Sequence, residues 1–139
     1  MLSALLVALS ASLPAVSHPD PDELRWTPIV AYDEVQVEMD TTRVLGRGPF
    51  TTWVRWHYLD RAASPSAWDA GIRASLDLLE VDCERAVSRT LSSTAFDVDG
   101  AVNRAMSVDE PAAAWHALRA GTVGAEVAER VCGVAAKRP

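Results

Sequence analysis

Apolar and polar residues alternate along segment 35–40, which reads VQVEMD. Because successive side chains of a strand point to opposite faces, this period of two predicts a half-buried strand. The positions expected to face inward are Val35, Val37 and Met39. An earlier short strand is predicted over residues 26–31. Its Pro28 indicates a sheet edge, because proline cannot donate a hydrogen bond to a neighbouring strand.

Residues 50–59 (FTTWVRWHYL) are rich in β-branched and aromatic side chains, a composition typical of strands. Both faces of this strand carry aromatic residues, so we expect the C-terminal helix or a partner to cover one of them. One face comprises Phe50, Thr52, Val54, Trp56 and Tyr58, and the other comprises Thr51, Trp53, Arg55, His57 and Leu59.

A loop and three more strands are predicted next. The loop covers residues 60–71 and the strands cover 72–83, 85–97 and 101–108. The adjacent Leu78 and Leu79 break the alternation of the first of these strands, which indicates a bulge or a change of buried face. Asp97 to Gly100 (DVDG) has the composition of a hairpin turn, in which glycine supplies the positive φ.

The end of the chain has helical periodicity. Residues 122–134 are predicted to be a helix that Thr122 caps and whose apolar face consists of Val123, Val127, Val131 and Val134. Residues 112–120 (AAAWHALRA) also have helical propensity, over a shorter length. The pattern as a whole predicts a small antiparallel sheet with a helix.

The N-terminus resembles a secretory signal. Residues 2–13 are apolar or small throughout, too few to span a bilayer but typical of a signal core. We expect residues 1–17 to be removed by cleavage near Ser17, leaving residues 18–25 as a polar lead-in and no membrane span in the mature chain. The usual basic start is missing, because no Lys or Arg precedes Arg25. The alternative is a buried N-terminal helix.

Length and charge narrow the class of protein. A chain of 139 residues is one domain by the usual length prior, and we expect that domain to cover residues 26–134 with a tail over 135–139. The formal net charge of −6 argues against a nucleic-acid surface and gives no attraction to anionic lipid.

The two cysteines, Cys83 and Cys132, match neither a CxxC redox motif nor a zinc-binding spacing. In an oxidising compartment they would form one disulfide, and in a reducing compartment they would be two buried thiols. The residues alone leave both states open.

No catalytic or metal-binding motif is recognisable, so we expect no enzyme activity, no metal and no cofactor. The histidines lack HExxH spacing, the serines lack a GxSxG context, and Gly46-Arg47-Gly48 lacks the pattern of a phosphate-binding loop. Asp97 and Asp99 offer too few oxygen ligands for calcium.

Aromatic residues are the better candidates for binding, because Trp and Tyr are enriched at interface hot spots. Arg55 could stack on Trp53, and Trp68 lies in the 60–71 loop. We therefore take Trp53, Arg55 and Trp68 as candidate binding residues. The alternative is that the aromatic residues fill the core between sheet and helix, which we favour for Trp56 and Tyr58.

The order of motifs over residues 26–132 resembles the surface-adhesin protein E family of Gram-negative bacteria. The matching elements are Trp26, VEMDTT, TTWVRWHY, VDCERAVSR around Cys83, FDVDG, Trp115 and a terminal helix closing on Val131 and Cys132. The chain departs from the family before that helix, where RAGTVG stands in place of an expected proline.

The resemblance implies an α+β fold: an antiparallel sheet of about six strands with a C-terminal helix packed on it. It also implies that Cys83 and Cys132 form a disulfide between helix and sheet. The named member of the family is a surface adhesin that binds host extracellular-matrix proteins.

The resulting hypothesis is an exported, non-enzymatic binding module in the periplasm or at the cell surface of a Gram-negative bacterium. Its partner would be an extracellular-matrix or envelope protein, or another macromolecule. One alternative is a structural or assembly protein of the periplasm that forms a homodimer through a sheet edge. Another is a small inhibitor of a hydrolase, with residues 60–71 as the inserted loop.

Overall fold

The computed structural model describes residues 25–107 and 113–139. These residues form a seven-stranded antiparallel sheet and one long helix, which confirms the α+β fold. The strands are β1 (Trp26–Ala31), β2 (Val35–Asp40), β3 (Phe50–Tyr58), β4 (Ala74–Asp82), β5 (Val87–Phe96), β6 (Val102–Ser107) and β7 (His116–Ala117). The helices are the short α1 (Pro65–Asp69), after a 3-10 turn at Arg61–Ala63, and α2 (Val123–Ala136).

The strands follow one another across the sheet in chain order from β1 to β6, and β7 pairs with the first residues of β5 beside β6. The predicted edge strand is confirmed, because β1 is the first strand and its pairing with β2 is irregular between Pro28 and Val30. The predicted bulge is also confirmed, because the register of β4 against β5 shifts between Leu78 and Leu79. The predicted signal segment 1–17 lies outside the described residues.

Two local predictions were wrong. The described part of 112–120 is not helical: His116 and Ala117 pair with Ser88 and Val87 of β5. A segment this short pays the nucleation cost of a helix for few hydrogen bonds, whereas the edge of β5 offers ready partners. The 60–71 loop contains α1, whose Pro65 occupies the first helical turn, where proline is tolerated.

The core lies between the sheet and α2. Val35, Val37 and Met39 are buried as predicted, with Val37 and Met39 fully inaccessible. From α2, Val127, Ala128 and Val131 pack into the same cluster, and Val123 and Val134 pack at its border. Thr122 caps the helix as predicted, because its hydroxyl accepts a hydrogen bond from the Ala125 amide.

A disulfide joins Cys83, just after β4, to Cys132 of α2, with their Cα atoms 5.9 Å apart. The pairing implied by the resemblance is thus confirmed. The bond closes a long stretch of chain and holds the helix on the sheet at one end of β4, while the valines of α2 supply the apolar contact.

Candidate binding surface

The sheet has two unlike faces, and we call the one opposite α2 the open face. In β3, Thr52 and Val54 are buried toward α2, so the alternating residues Trp53, Arg55 and His57 point the other way. Many side chains of the open face, including those of Trp53, Arg55 and His57, remain partly exposed. Strand register places on it, from β1 to β5, Trp26, Glu38, Trp53, Arg55, His57, Leu76, Leu78 and Phe96.

Arg55 is the centre of a polar cluster on the open face. Its Nε donates a hydrogen bond to one oxygen of Glu38 at 2.7 Å, and its Nη2 forms an ion pair with the same oxygen at 2.6 Å. Nε2 of His57 lies 3.0 Å from that oxygen. The guanidinium also lies 4.5 Å from the centre of the Trp26 ring. Burial raises the pKa of Glu38, but the hydrogen bonds from Arg55 and His57 outweigh this, and the net pKa is lowered.

Trp53 and Arg55, two of the candidate binding residues, thus share the open face. The register sets Trp53 opposite Leu78 and Arg55 opposite Leu76 on β4, so apolar and cationic surface alternate along the two strands. Where the sequence suggested Trp53 as the ring under Arg55, the structure places Trp26 there. Trp26 was missed because its strand is set beside β2 only by the tertiary register.

An open cavity of about 410 Å³ lies on this face. Aromatic and aliphatic side chains form most of its wall. Arg55, His57 and Arg73 provide positive or protonatable groups, and Asp97 is also part of the lining. The apolar part of the lining consists of Trp26, Ala74, Leu76, Phe96 and Val98. A concave apolar surface with a few directed polar groups is the usual form of a recognition site.

Trp68, the third candidate, lies apart from the other two. It belongs to α1, where the guanidinium of Arg73 lies 3.6 Å from the centre of its ring and donates to its carbonyl oxygen at 3.0 Å. Arg73 lines the open-face cavity, so Trp68 supports a wall residue of that cavity through this stacking. Sequence spacing offered no signal for Arg73, which was not among the candidates.

A second arginine cluster closes the other end of the open face. Arg89 forms an ion pair with Glu80, both side chains being nearly inaccessible, at 11% and 9% exposure. The Trp115 ring lies 4.2 Å from the Arg89 guanidinium, and the carbonyl of Ala113 accepts a hydrogen bond from it. This end is therefore covered by the segment around Trp115, whereas the Arg55 end is accessible.

Within the described ranges no group of three or more His, Cys, Asp or Glu side chains is arranged to hold a metal ion. In the same ranges, no helix is both long enough and apolar enough to cross a membrane. His57 is engaged with Glu38, and His116 is exposed on β7.

The sheet carries α2 on one face, where a disulfide fixes the helix, and an aromatic and arginine-rich surface on the other face. These features define the class of protein as a small, cross-linked α+β domain. The family model of surface-adhesin protein E matches residues 26–133, and the chain belongs to that family. No curated protein and no solved structure shows a significant match to the chain.

Proposed function

We propose that the protein is an exported, non-enzymatic adhesin-type module that binds a protein of the extracellular matrix or of the cell envelope through the Arg55 end of the open face. Family membership supports a role in adhesion and a cell-surface or secreted location. The observation that carries the proposal is the accessible grouping of Trp26, Trp53 and Arg55 beside a cavity of about 410 Å³.

Physical chemistry favours this surface for binding. Trp and Arg supply large contact areas and directional hydrogen bonds, and they dominate the energetics of protein interfaces. Arg55 is already oriented by Glu38, so little side-chain freedom would be lost when a partner binds. A partner with an aromatic or aliphatic group next to a carboxylate would complement the apolar wall and the cationic groups.

The 60–71 segment is less suited to inserting into an active site. Both terminal oxygens of Asp69 accept hydrogen bonds from Arg61, at 2.9 Å each, and Trp68 is half-buried against Arg73. An inhibitory loop would need to present such a side chain outward. These contacts therefore support the open face over the inhibitor alternative.

The sheet edge supports a second candidate, assembly with another copy of the chain. Val102 and Met106 of β6 are 63% and 47% exposed, and among the described residues no strand pairs with the outer edge of β6. Unpaired strand edges are templates for association. Sedimentation of the mature protein over a range of concentrations tests this: a monomer at every concentration would rule it out.

The test of the main proposal is a binding screen by surface plasmon resonance against purified extracellular-matrix proteins and against envelope fractions. With a partner in hand, Trp53→Ala and Arg55→Ala should each weaken binding by roughly tenfold or more. Leu45→Ala is the matched control, because it removes a 61%-exposed apolar side chain outside the cavity lining. Circular dichroism confirms that each variant is folded.

Two results would contradict the proposal. One is the absence of binding above background in both pools. The other is a partner whose affinity is unchanged by both Trp53→Ala and Arg55→Ala, which would move the binding surface elsewhere. If Trp68→Ala alone abolished the interaction, the 60–71 segment would be the contact instead.

A further inference from the structure

A second cavity lies on the α2 side of the sheet, beyond the area that the helix covers. Its volume is about 190 Å³, enough for several water molecules or a small organic ligand. Ala67 of α1 and Ile72 form one wall, and Arg104 and Met106 of the edge strand β6 form the other. The cavity is therefore separated by the sheet itself from the surface proposed above.

The floor of this cavity is polar. Register sets Asp77 of β4 beside Ser93 of β5, and the Ser93 hydroxyl donates to the Asp77 carboxylate at 2.6 Å. The Ser75 hydroxyl lies 3.5 Å from the other carboxylate oxygen, and the Tyr58 hydroxyl lies 3.4 Å from that of Ser75. A carboxylate and three hydroxyls thus converge on one small space.

Asp77 is largely buried without a cation. None of the ion pairs formed within residues 25–107 and 113–139 includes Asp77 or Arg104, although both line the cavity. Burial raises the pKa of Asp77, against weaker opposing effects of Ser93 and Ser75. Removing a carboxylate from water without a cationic partner is costly, and the neighbouring position on β3 is the apolar Val54.

The distance between the Asp77 carboxylate and the Arg104 guanidinium limits which ligands could contact both groups. Arg104 is exposed on β6, two strands away from β4, and strands are spaced about 4.8 Å apart, so the backbones lie on the order of 10 Å from each other. A ligand with opposite charges a few bonds apart would meet Asp77 at one end and the flexible arginine side chain at the other. The apolar parts of Ile72, Ala95 and Met106 would enclose its carbon atoms.

We propose that this cavity binds a small amino acid, with the ammonium group donating to Asp77 and the carboxylate paired with Arg104. The ammonium supplies the positive charge that the buried carboxylate lacks, and the hydroxyls of Tyr58 and Ser75 can accept its remaining hydrogen bonds. This site lies on the opposite side of the sheet from the open face, so each proposal can be tested and rejected independently of the other.

The experiment is isothermal titration calorimetry of the full chain with millimolar glycine, L-alanine and L-serine, each compared with ethylamine and propionate. We expect the amino acids to bind, ethylamine to bind more weakly and propionate to bind least. Asp77→Asn should weaken amino-acid binding at least about tenfold, because a charged hydrogen bond is lost. Arg104→Gln should weaken binding of the amino acids and leave ethylamine unchanged.

Matched controls separate the site from general charge effects. Asp99→Asn changes an exposed carboxylate in the β5–β6 turn, and Arg138→Gln changes an exposed arginine after α2; both should bind as the wild type does. No heat of binding with any of the three amino acids overturns the proposal, as does equal binding by Asp77→Asn. If ethylamine binds as tightly as L-alanine and Arg104→Gln has no effect, the proposed pairing of the ligand carboxylate with Arg104 is wrong. Arg104 is exposed, so its variant keeps the test informative even if Asp77→Asn does not fold.

Discussion

The guanidinium of Arg55 on β3 lies over the ring of Trp26 on β1, 4.5 Å from its centre, with Glu38 of the intervening strand holding it in place. Three consecutive strands of the sheet thus contribute side chains to a single cluster. The arrangement depends on the register of β1 with β2 and of β2 with β3. The effect of variants of the cluster on the stability of the protein therefore tests this strand order.

Glu38→Gln removes the acceptor that Arg55 and His57 share. The pKa of Glu38 is lowered in the folded state. The stability that the ionised Glu38 contributes is therefore present at pH values above its unfolded pKa, and it is lost as the pH falls through its folded pKa. We expect the variant to be less stable than the wild type at pH 7, by about 0.5–1 kcal/mol for a partly exposed pair. The difference should vanish in acid, which urea unfolding at several pH values measures.

Glu34→Gln, which changes an exposed glutamate in the β1–β2 turn, serves as the control for Glu38. Its stability should differ from that of the wild type by less than that of Glu38→Gln at pH 7. A Glu38→Gln variant as stable as the wild type at low ionic strength would show that the cluster contributes nothing.

The disulfide between Cys83 and Cys132 should dominate the stability of the fold. Replacing both cysteines by alanine frees a loop of 49 residues in the unfolded chain, which costs about 4 kcal/mol in the loop-entropy treatment. We expect the urea midpoint to fall accordingly, and reduction of the wild type to reproduce most of the loss. Equal midpoints for oxidised and reduced protein would contradict this expectation.

Arg89 and Glu80 form an ion pair that is almost inaccessible to water, so removing one partner leaves a buried charge. Arg89→Met should destabilise the protein by roughly 3–5 kcal/mol. The double variant Arg89→Met with Glu80→Gln should recover part of that loss, because no charge then remains unpaired. Arg85→Ala is the control, since its 62%-exposed side chain should contribute less than about 1 kcal/mol.

Gly46 and Gly100 both have positive φ, +102° and +79°, but their surroundings differ. A Cβ at Gly46 would lie 2.4 Å from the carbonyl oxygen of Pro49, whereas a Cβ at Gly100 would meet nothing within 4 Å. Gly100→Ala should therefore cost only about 1–2 kcal/mol of backbone strain, and Gly46→Ala should cost clearly more. Comparable thermal midpoints for the two variants would contradict the close approach in the 46–49 turn.

Asp77 shows the opposite pH dependence to Glu38. Burial raises the pKa of Asp77, so the folded state holds the proton more tightly than the unfolded state does. The stability that this provides is lost as the pH rises through the folded-state pKa. Without ligand, Asp77→Asn should therefore be more stable relative to the wild type at pH 7 than at pH 4. Urea unfolding at both values measures this, and a relative stability that does not change with pH would contradict the burial of the carboxylate.

The local sequence pattern predicted the structure correctly where the alternation of apolar and polar residues, or a break in it, was clear. Alternation identified β2 and its inward residues, and the paired leucines at 78 and 79 identified the bulge. It failed at 112–120, because alanine propensity is a weak bias that a vacant strand edge overrides. Trp53 and Arg55 could be placed on one face from the alternation of β3 alone, whereas Trp26, Glu38 and Arg73 joined them only through pairing between strands.

The order of motifs along the chain was sufficient to indicate the family, and the resemblance implied the fold class and the pairing of Cys83 with Cys132, both of which the structure confirms. Only the tertiary structure decided which arginine meets which ring, and that Asp77 and Arg104 line the same cavity. Contacts of this kind depend on strand register, and a shift of one residue would turn each of these side chains to the opposite face.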